Sequence, residues 1–253
     1  MPDNQAKNLL ILGGTAEARE LARQVSLKLG KRVRVTTSLA GRRASTPALG
    51  GDVRIGGFGG IKGLSEYLSE NAVDLVVDAT HPFSPVISDH ANTAATGLGV
   101  PRLQVMRPLW KLPPTAEWID VDGMDAAVAY LPRFAKRVFL TTGLRNLDAF
   151  SALEELWFLV RLIDPPSDPP PLKNHELITG SPPYTMQGER AIFAEHRIDT
   201  LVTKHSGGDA TAAKIFAAAE AGVKIVLIRR PPTEPGPVAE TVDEAFQWIK
   251  DRL

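Results

Sequence analysis

Two adjacent glycines and a threonine, Gly13-Gly14-Thr15, stand between the apolar run Leu9–Leu12 and a segment of helical period that begins at Ala16. Glycine lets such a turn tighten and bring its backbone against a ligand, and the unpaired N–H groups at a helix start attract phosphate. Thr15 is placed to cap that helix. The third glycine of a Gly-x-Gly-x-x-Gly pattern is replaced by Ala16 or Ala18, so alone the turn suits an ordinary strand–helix junction as well as a nucleotide site. The next apolar run ends Thr36-Thr37-Ser38, without the Asp or Glu that binds the ribose 2′-hydroxyl in NAD sites, and Arg42-Arg43 follow. The hydroxyls of Thr37 and Ser38 with the guanidinium groups of Arg42 and Arg43 would suit an adenosine 2′-phosphate, which favours NADP over NAD; the alternative is a solvated basic loop. Gly56-Gly57-Phe58-Gly59-Gly60 sets four glycines around one aromatic, as a backbone pressed against a flat or charged ligand would require, or as a merely flexible loop would allow. In Asp78-Ala79-Thr80-His81-Pro82-Phe83, Pro82 keeps His81 out of the α region and presents its imidazole from an extended loop. His81 there is a proton donor, a hydrogen-bond anchor for a nicotinamide, or a structural hydrogen-bonder beneath the loop; Asp78 orders the turn, with Ala79 and Thr80 against the cofactor.

Turns of this kind must sit at one edge of a parallel sheet, and the chain alternates strand-length apolar runs with segments of helical period throughout. Strands are expected near Leu9–Leu12, Arg32–Thr37, Asp52–Ile55, Val73–Asp78 and Arg102–Met106, with helices over Ala16–Leu29, Ile61–Glu70 and Pro85–Thr96. After Met106 the run Arg107-Pro108-Leu109-Trp110-Lys111-Leu112-Pro113-Pro114-Thr115 disfavours helix and central strand alike. It marks a linker over 107–118 between a nucleotide-binding domain, 1–106, and a second α/β domain, 119–253. Trp110 in that linker is expected to wedge the domains together or to stack on a ligand. In the second half, strands near Arg137–Thr142, Leu156–Ile163, Glu176–Thr179, Thr200–Thr203 and Lys224–Ile228 alternate with helices over Met124–Leu131, Met186–Glu195, Ala210–Ala221 and Val242–Asp251. Three of those strands end in small polar turns, Thr142-Gly143, Thr179-Gly180-Ser181 and Thr203-Lys204-His205-Ser206-Gly207-Gly208, where open α/β sheets bind ligands.

Composition narrows the function classes. In 253 residues Lys+Arg and Asp+Glu both number 29, so no basic excess points to nucleic acid or an anionic membrane. Cysteine is absent, which removes disulfides, thiolate nucleophiles and cysteine-based metal sites; a reducing cytoplasm is the simplest home. No pair among the five histidines has zinc-site spacing, so no metal is expected. The polar start lacks the apolar core of a signal peptide, and no apolar run approaches the roughly 18 residues of a membrane span.

Taken in order, Ile11-Leu12-Gly13-Gly14-Thr15-Ala16-Glu17-Ala18-Arg19, Asp78-Ala79-Thr80-His81-Pro82-Phe83, Thr141-Thr142-Gly143-Leu144-Arg145-Asn146, Ile178-Thr179-Gly180-Ser181-Pro182-Pro183-Tyr184-Thr185 and Thr203-Lys204-His205-Ser206-Gly207-Gly208 resemble the precorrin-6A reductase family of cobalamin biosynthesis over nearly the whole chain. The resemblance implies two Rossmann-like domains with mainly parallel sheets, the active site in the cleft between them, and an NADPH-dependent enzyme that reduces one double bond of a corrin precursor, precorrin-6A, to give precorrin-6B. Such a macrocycle carries several carboxylates, so its pocket should offer cations, helix starts and neutral donors. Arg145, Lys204, His205 and the turn Ser206-Gly207-Gly208 are the candidates, with Ser181, Tyr184 and Thr185 as neutral donors. The implied partners are this tetrapyrrole and, transiently, neighbouring enzymes of the pathway. A methyltransferase using S-adenosylmethionine and a non-catalytic dinucleotide sensor are the competing readings.

Overall fold

Leu9, Leu10, Ile11 and Leu12 are all buried, as a strand covered on both faces requires. The computed structural model describes residues 6–41 and 50–253, and it divides into two units, Met1–Arg107 with Pro231–Leu253, and Pro108–Arg230. The first unit opens with β1 (Lys7–Leu12), α1 (Ala16–Leu29), β2 (Val33–Leu39), β3 (Asp52–Ile55), α2 (Gly60–Glu70), β4 (Leu75–Asp78), α3 (Pro85–Leu98) and β5 (Arg102–Val105). Side chains alternate across the sheet. Leu9, Ile11, Val35 and Val77 meet Leu21, Ala22 and Val25 of α1, whereas Leu10, Leu12 and Val76 meet Leu64 and Leu68 of α2 and Ala91 and Ala94 of α3. Each fully buried leucine contributes about 2 kcal/mol to holding the layers together.

The second unit contains β6 (Trp118–Val121), α4 (Met124–Tyr130), β7 (Arg137–Leu140), β8 (Trp157–Leu162), β9 (His175–Thr179), α5 (Met186–Glu195), β10 (Thr200–Lys204), α6 (Ala213–Glu220) and β11 (Lys224–Ile228). Its strand order is β6-β11-β10-β7-β8-β9, with every neighbouring pair parallel. Phe139, Leu159, Leu201 and Ile225 pack one face against Phe193 of α5 and Ile215 and Ala218 of α6. The proline-rich segment after β8 is a largely exposed connection, as proline's missing donor demands.

After β11 the chain returns to the first unit as β12 (Val238–Ala239) and α7 (Val242–Lys250). β12 pairs in parallel with β5, and Ala245 and Ile249 of α7 join the cluster around α1. The first sheet therefore runs β12-β5-β4-β1-β2-β3. This corrects two expectations. The second domain does not run on to residue 253, because the edge of β5 and the apolar flank of α1 take up the C-terminal segment. The stretch 107–118 is not a free linker either: β6 forms from its end, and Trp110, 8% exposed, lies in the second unit's own core. Each unit thus has five strands of near-continuous sequence and a sixth from the segment that enters or leaves it. In both, the winding direction reverses between two central strands, β1 and β4 in one and β7 and β10 in the other, and the crevice beyond the carboxyl ends of such strands is where open α/β sheets bind ligands.

Candidate functional site

At the β1 end, Thr15 serves two strands at once. Its Oγ1 accepts from Ala18 N–H at 3.1 Å, capping α1, and donates to Ala79 O at 2.7 Å in the turn after β4. Ala79 N–H in turn donates to Leu12 O at 2.9 Å. The turns flanking the reversal point are thereby locked together by the last two of these bonds. Gly13 packs tightly, since a side chain there would press on Thr37, whereas Gly14 faces open space at a φ of +114°. Glu17, in the first turn of α1, is paired with Arg107 at 2.9 Å, so its charge is offset before it can repel an anion at the helix start.

Beneath the turn after β4, Asp78 accepts from both the amide and the hydroxyl of Thr80, which fits the turn-ordering role read from sequence. His81 Nδ1 accepts from Phe83 N–H at 3.2 Å, which places the ring proton of a neutral imidazole on Nε2. At the end of β2, the Thr37 hydroxyl is buried with no hydrogen-bond partner among the described residues, a vacancy that a polar ligand or water would satisfy. Arg42 and Arg43 lie outside the described residues.

The loop Gly56–Gly59 is held by a residue that sequence reasoning passed over. Arg54 of β3 stands opposite Ser38 of β2. Its Nη1 donates to Gly56 O and to Ser38 Oγ at 3.3 Å, its Nη2 donates to Gly57 O at 2.8 Å, and its guanidinium lies 3.8 Å from the centre of the Phe58 ring. Phe58 stacks edge-on to Tyr67 of α2, and its carbonyl occupies the space a side chain at Gly63 would need. The loop is thus pinned rather than merely flexible. An arginine two residues ahead of a glycine run was the available signal.

In the second unit, Lys204 at the end of β10 and Arg145 in the 3-10 turn Leu144–Asn146 beyond β7 interact electrostatically across the reversal point. Burial, and then the Arg145 charge, hold the Lys204 ammonium below the usual lysine range. Next to it the turn Ser206-Gly207-Gly208 is clamped from three sides. Trp110 Nε1 donates to Gly208 O at 2.8 Å, Arg230 donates to Ser206 O at 2.9 Å, and Pro108 O sits 2.0 Å from where a Gly207 Cβ would lie. His205 stacks on Trp110 and its Nε2 is 3.3 Å from Trp110 O, and burial lowers its pKa. Trp110 therefore buttresses this turn from within its own unit.

Of the other expected donors, two take part in local bonds and one is exposed. Tyr184 donates to Gly180 O at 2.8 Å and burial raises its pKa; Thr185 caps α5 by accepting from Gly188 N–H at 3.1 Å; Ser181 is exposed. Under them lies a buried ion pair absent from the sequence reading, Arg161–Glu189 at 2.5 Å, with the Arg161 guanidinium stacked 3.8 Å from the Tyr184 ring centre. A groove of about 450 Å³ lined by Ile198 and Val223, the residues just before β10 and β11, opens at the amino ends of those strands and includes none of the expected site residues. Among the described residues no helix is long and apolar enough to cross a membrane, and no group of three or more His, Asp or Glu could hold a metal ion.

Known proteins match this chain over nearly its whole length. Residues 8–250 fit the family described as precorrin-6x reductase CbiJ/CobK. A precorrin-6A reductase of Rhodococcus erythropolis is 44% identical over 95% of this chain and 96% of its own length. A cobalt-precorrin-6A reductase of Priestia megaterium is 28% identical over 95% and 97%. A solved structure of CobK precorrin-6A reductase superposes with a TM-score of 0.91, at 36% identity and 97% coverage of both chains. With a family match across nearly its full length and relatives above 40% identity, this chain belongs to the precorrin-6x reductase family.

Proposed function

We propose that the chain reduces one double bond of precorrin-6A to give precorrin-6B, an oxidoreductase step on a CH–CH group in cobalamin biosynthesis, with NADPH as reductant and the cytoplasm as its place of work. The observation that carries this is the pair of differently furnished reversal points: one offers an open glycine, a capped helix start and no acid after β2, and the other sets Lys204 and Arg145 beside a rigid glycine turn. The first suits a phosphorylated dinucleotide and the second suits carboxylates. Bound NADPH would supply the hydride, so the chain's own task is placement and electrostatics. Gly13, Gly14 and the start of α1 hold the pyrophosphate, and the Gly56–Gly59 loop, Ala79 and Thr80 line the rest of the dinucleotide. His81, with its ring proton on Nε2, donates to the nicotinamide end or returns the proton that accompanies the hydride. Lys204 and Arg145 take macrocycle carboxylates, with Ser206–Gly208 and Ser181 beside them.

Purified protein given NADPH and freshly prepared precorrin-6A is expected to oxidise the cofactor in step with loss of substrate. Tight NADPH binding without turnover of authentic substrate would favour a dinucleotide sensor. Binding of S-adenosylmethionine in preference to NADPH, measured side by side by calorimetry, would favour a methyltransferase.

A further inference from the structure

We propose that Arg54 selects the cofactor, its guanidinium receiving the adenosine 2′-phosphate. This rests on the NADPH reading above. In a sheet wound as the first unit is, the adenosine ribose lies at the carboxyl end of the second strand, which here is Ser38-Leu39 of β2. The register of β2 with β3 puts Arg54 directly beside Ser38, and its Nη1 reaches the Ser38 hydroxyl. Two carbonyls, Gly56 O and Gly57 O, and the face of Phe58 fix the plane of the guanidinium. A fork held in this way loses little freedom when it binds a phosphate.

The charge argument is independent of that geometry. Among the described residues every partner of Arg54 is a neutral oxygen or a ring, and no carboxylate pairs with it. Other arginines of this unit are matched: Arg107 by Glu17, and Arg23 by Glu20. A half-buried cation solvated only by dipoles leaves a local positive potential where a ribose substituent would arrive, and a phosphate answers it far better than a hydroxyl. A guanidinium coming from β3, the strand next to β2, also supplies the charge that Thr37 and Ser38 at the end of β2 lack.

The test is calorimetric and needs no turnover. NADP+ and NAD+, and their adenosine halves 2′,5′-ADP and ADP, are titrated into the wild-type chain, Arg54→Gln and Arg54→Lys. Gln keeps a donor for the loop carbonyls and removes the charge; Lys keeps the charge and loses the fork. Wild type is expected to favour NADP+ and 2′,5′-ADP. Arg54→Gln is expected to weaken both by about 10- to 100-fold while changing NAD+ and ADP by less than about 3-fold, with Arg54→Lys between. Equal weakening of phosphorylated and unphosphorylated ligands would overturn the assignment, reducing Arg54 to a loop clamp and leaving the NADPH reading intact. A wild-type chain that binds NAD+ as tightly as NADP+ would overturn both.

Discussion

Replacing Thr15 with valine deletes one oxygen and two hydrogen bonds with almost no change of shape. The first bond caps α1, and losing such a cap costs about 1 kcal/mol. The second, at 2.7 Å, is the donor to Ala79 O, which belongs to a residue only 1% exposed; leaving that carbonyl unsatisfied costs about 1–3 kcal/mol. Thr15→Val should therefore destabilise the first unit by about 2–4 kcal/mol. Thr15→Ser, which keeps both bonds, should lose less than about 1 kcal/mol. Thr15→Asp separates the two contributions, because a carboxylate accepts from Ala18 N–H but has no proton for Ala79 O; it should lose about 1–3 kcal/mol, and repulsion between the two oxygens pushes it to the upper part of that range. Urea unfolding followed by circular dichroism measures the totals. Amide exchange at Ala18 and Ala79 assigns them, since Ala79 N–H is held by Leu12 O and should open faster when its turn is released. A Thr15→Asp protein as stable as wild type, or a Thr15→Val protein that exchanges normally at Ala79, would refute the claim that this side chain joins the two turns.

Four further outcomes follow from the geometry. Gly207→Ala combines a left-handed φ of +69° with a collision against Pro108 O and should cost about 2–6 kcal/mol, whereas Gly222→Ala, at φ +66° in open space, should cost about 1 kcal/mol; equal urea midpoints for the two would contradict the clamp on the turn. Because Lys204 is held below the usual lysine range, its charge is lost at a lower pH than that of an ordinary lysine, so the KM for the macrocycle should rise with pH as the charge goes while NADPH affinity stays flat. Lys204→Ala should raise that KM below the rise and abolish its dependence on pH; an unchanged profile would remove Lys204 from the substrate site. Glu189→Gln leaves the Arg161 guanidinium buried without its counter-charge and should destabilise the second unit by about 3–5 kcal/mol by chemical denaturation, with Glu189→Asp in between. Burial holds the His205 pKa below its unfolded value, so the stability tied to its neutral form is complete above about pH 6.5 and is lost as pH falls from there toward the folded pKa; His205→Gln should flatten that acid slope.

The parts of this molecule that sequence makes legible are those whose causes lie close together. Leu9–Leu12, the glycine turn and the cap of α1 fall within ten residues, and the helix begins at Ala16 as its threonine dictates. The other half of Thr15's role lies 64 residues away and left no local trace. Strands β6 and β12 were missed for the same reason. Trp118–Val121 follows a proline run and Val238–Ala239 follows Pro235-Gly236-Pro237, so local chemistry reads loop, and only the open edges of β11 and β5 make them strands. At the site, residue type was a sound guide to where turns would fall and a poorer guide to what each side chain does. Tyr184 spends its donor on Gly180 O, and the Thr185 oxygen accepts from Gly188 N–H at the start of α5, partners three or four residues off. Arg54 had only its place two residues ahead of a glycine run to announce it, because its meaning comes from Ser38 across the sheet and from carbonyls that only the folded loop presents.

The late return of β12 has a consequence for birth on the ribosome. The amides of Gln104 and Met106 find their acceptors in Pro237 O and Ala239 O, and the buried Arg102 guanidinium finds Pro235 O, all supplied by a segment translated after the whole second unit. At about 5–20 residues per second, the nascent first unit waits roughly 6–25 s with that flank bare while the whole second unit is made. A bare parallel edge invites mispairing, and the brevity of β5, four residues, limits how firmly a stranger could add to it. The unit that emerges first is the one completed last, so a chain stalled or cleaved before Pro235 should lose the first unit's cooperativity while keeping the second's.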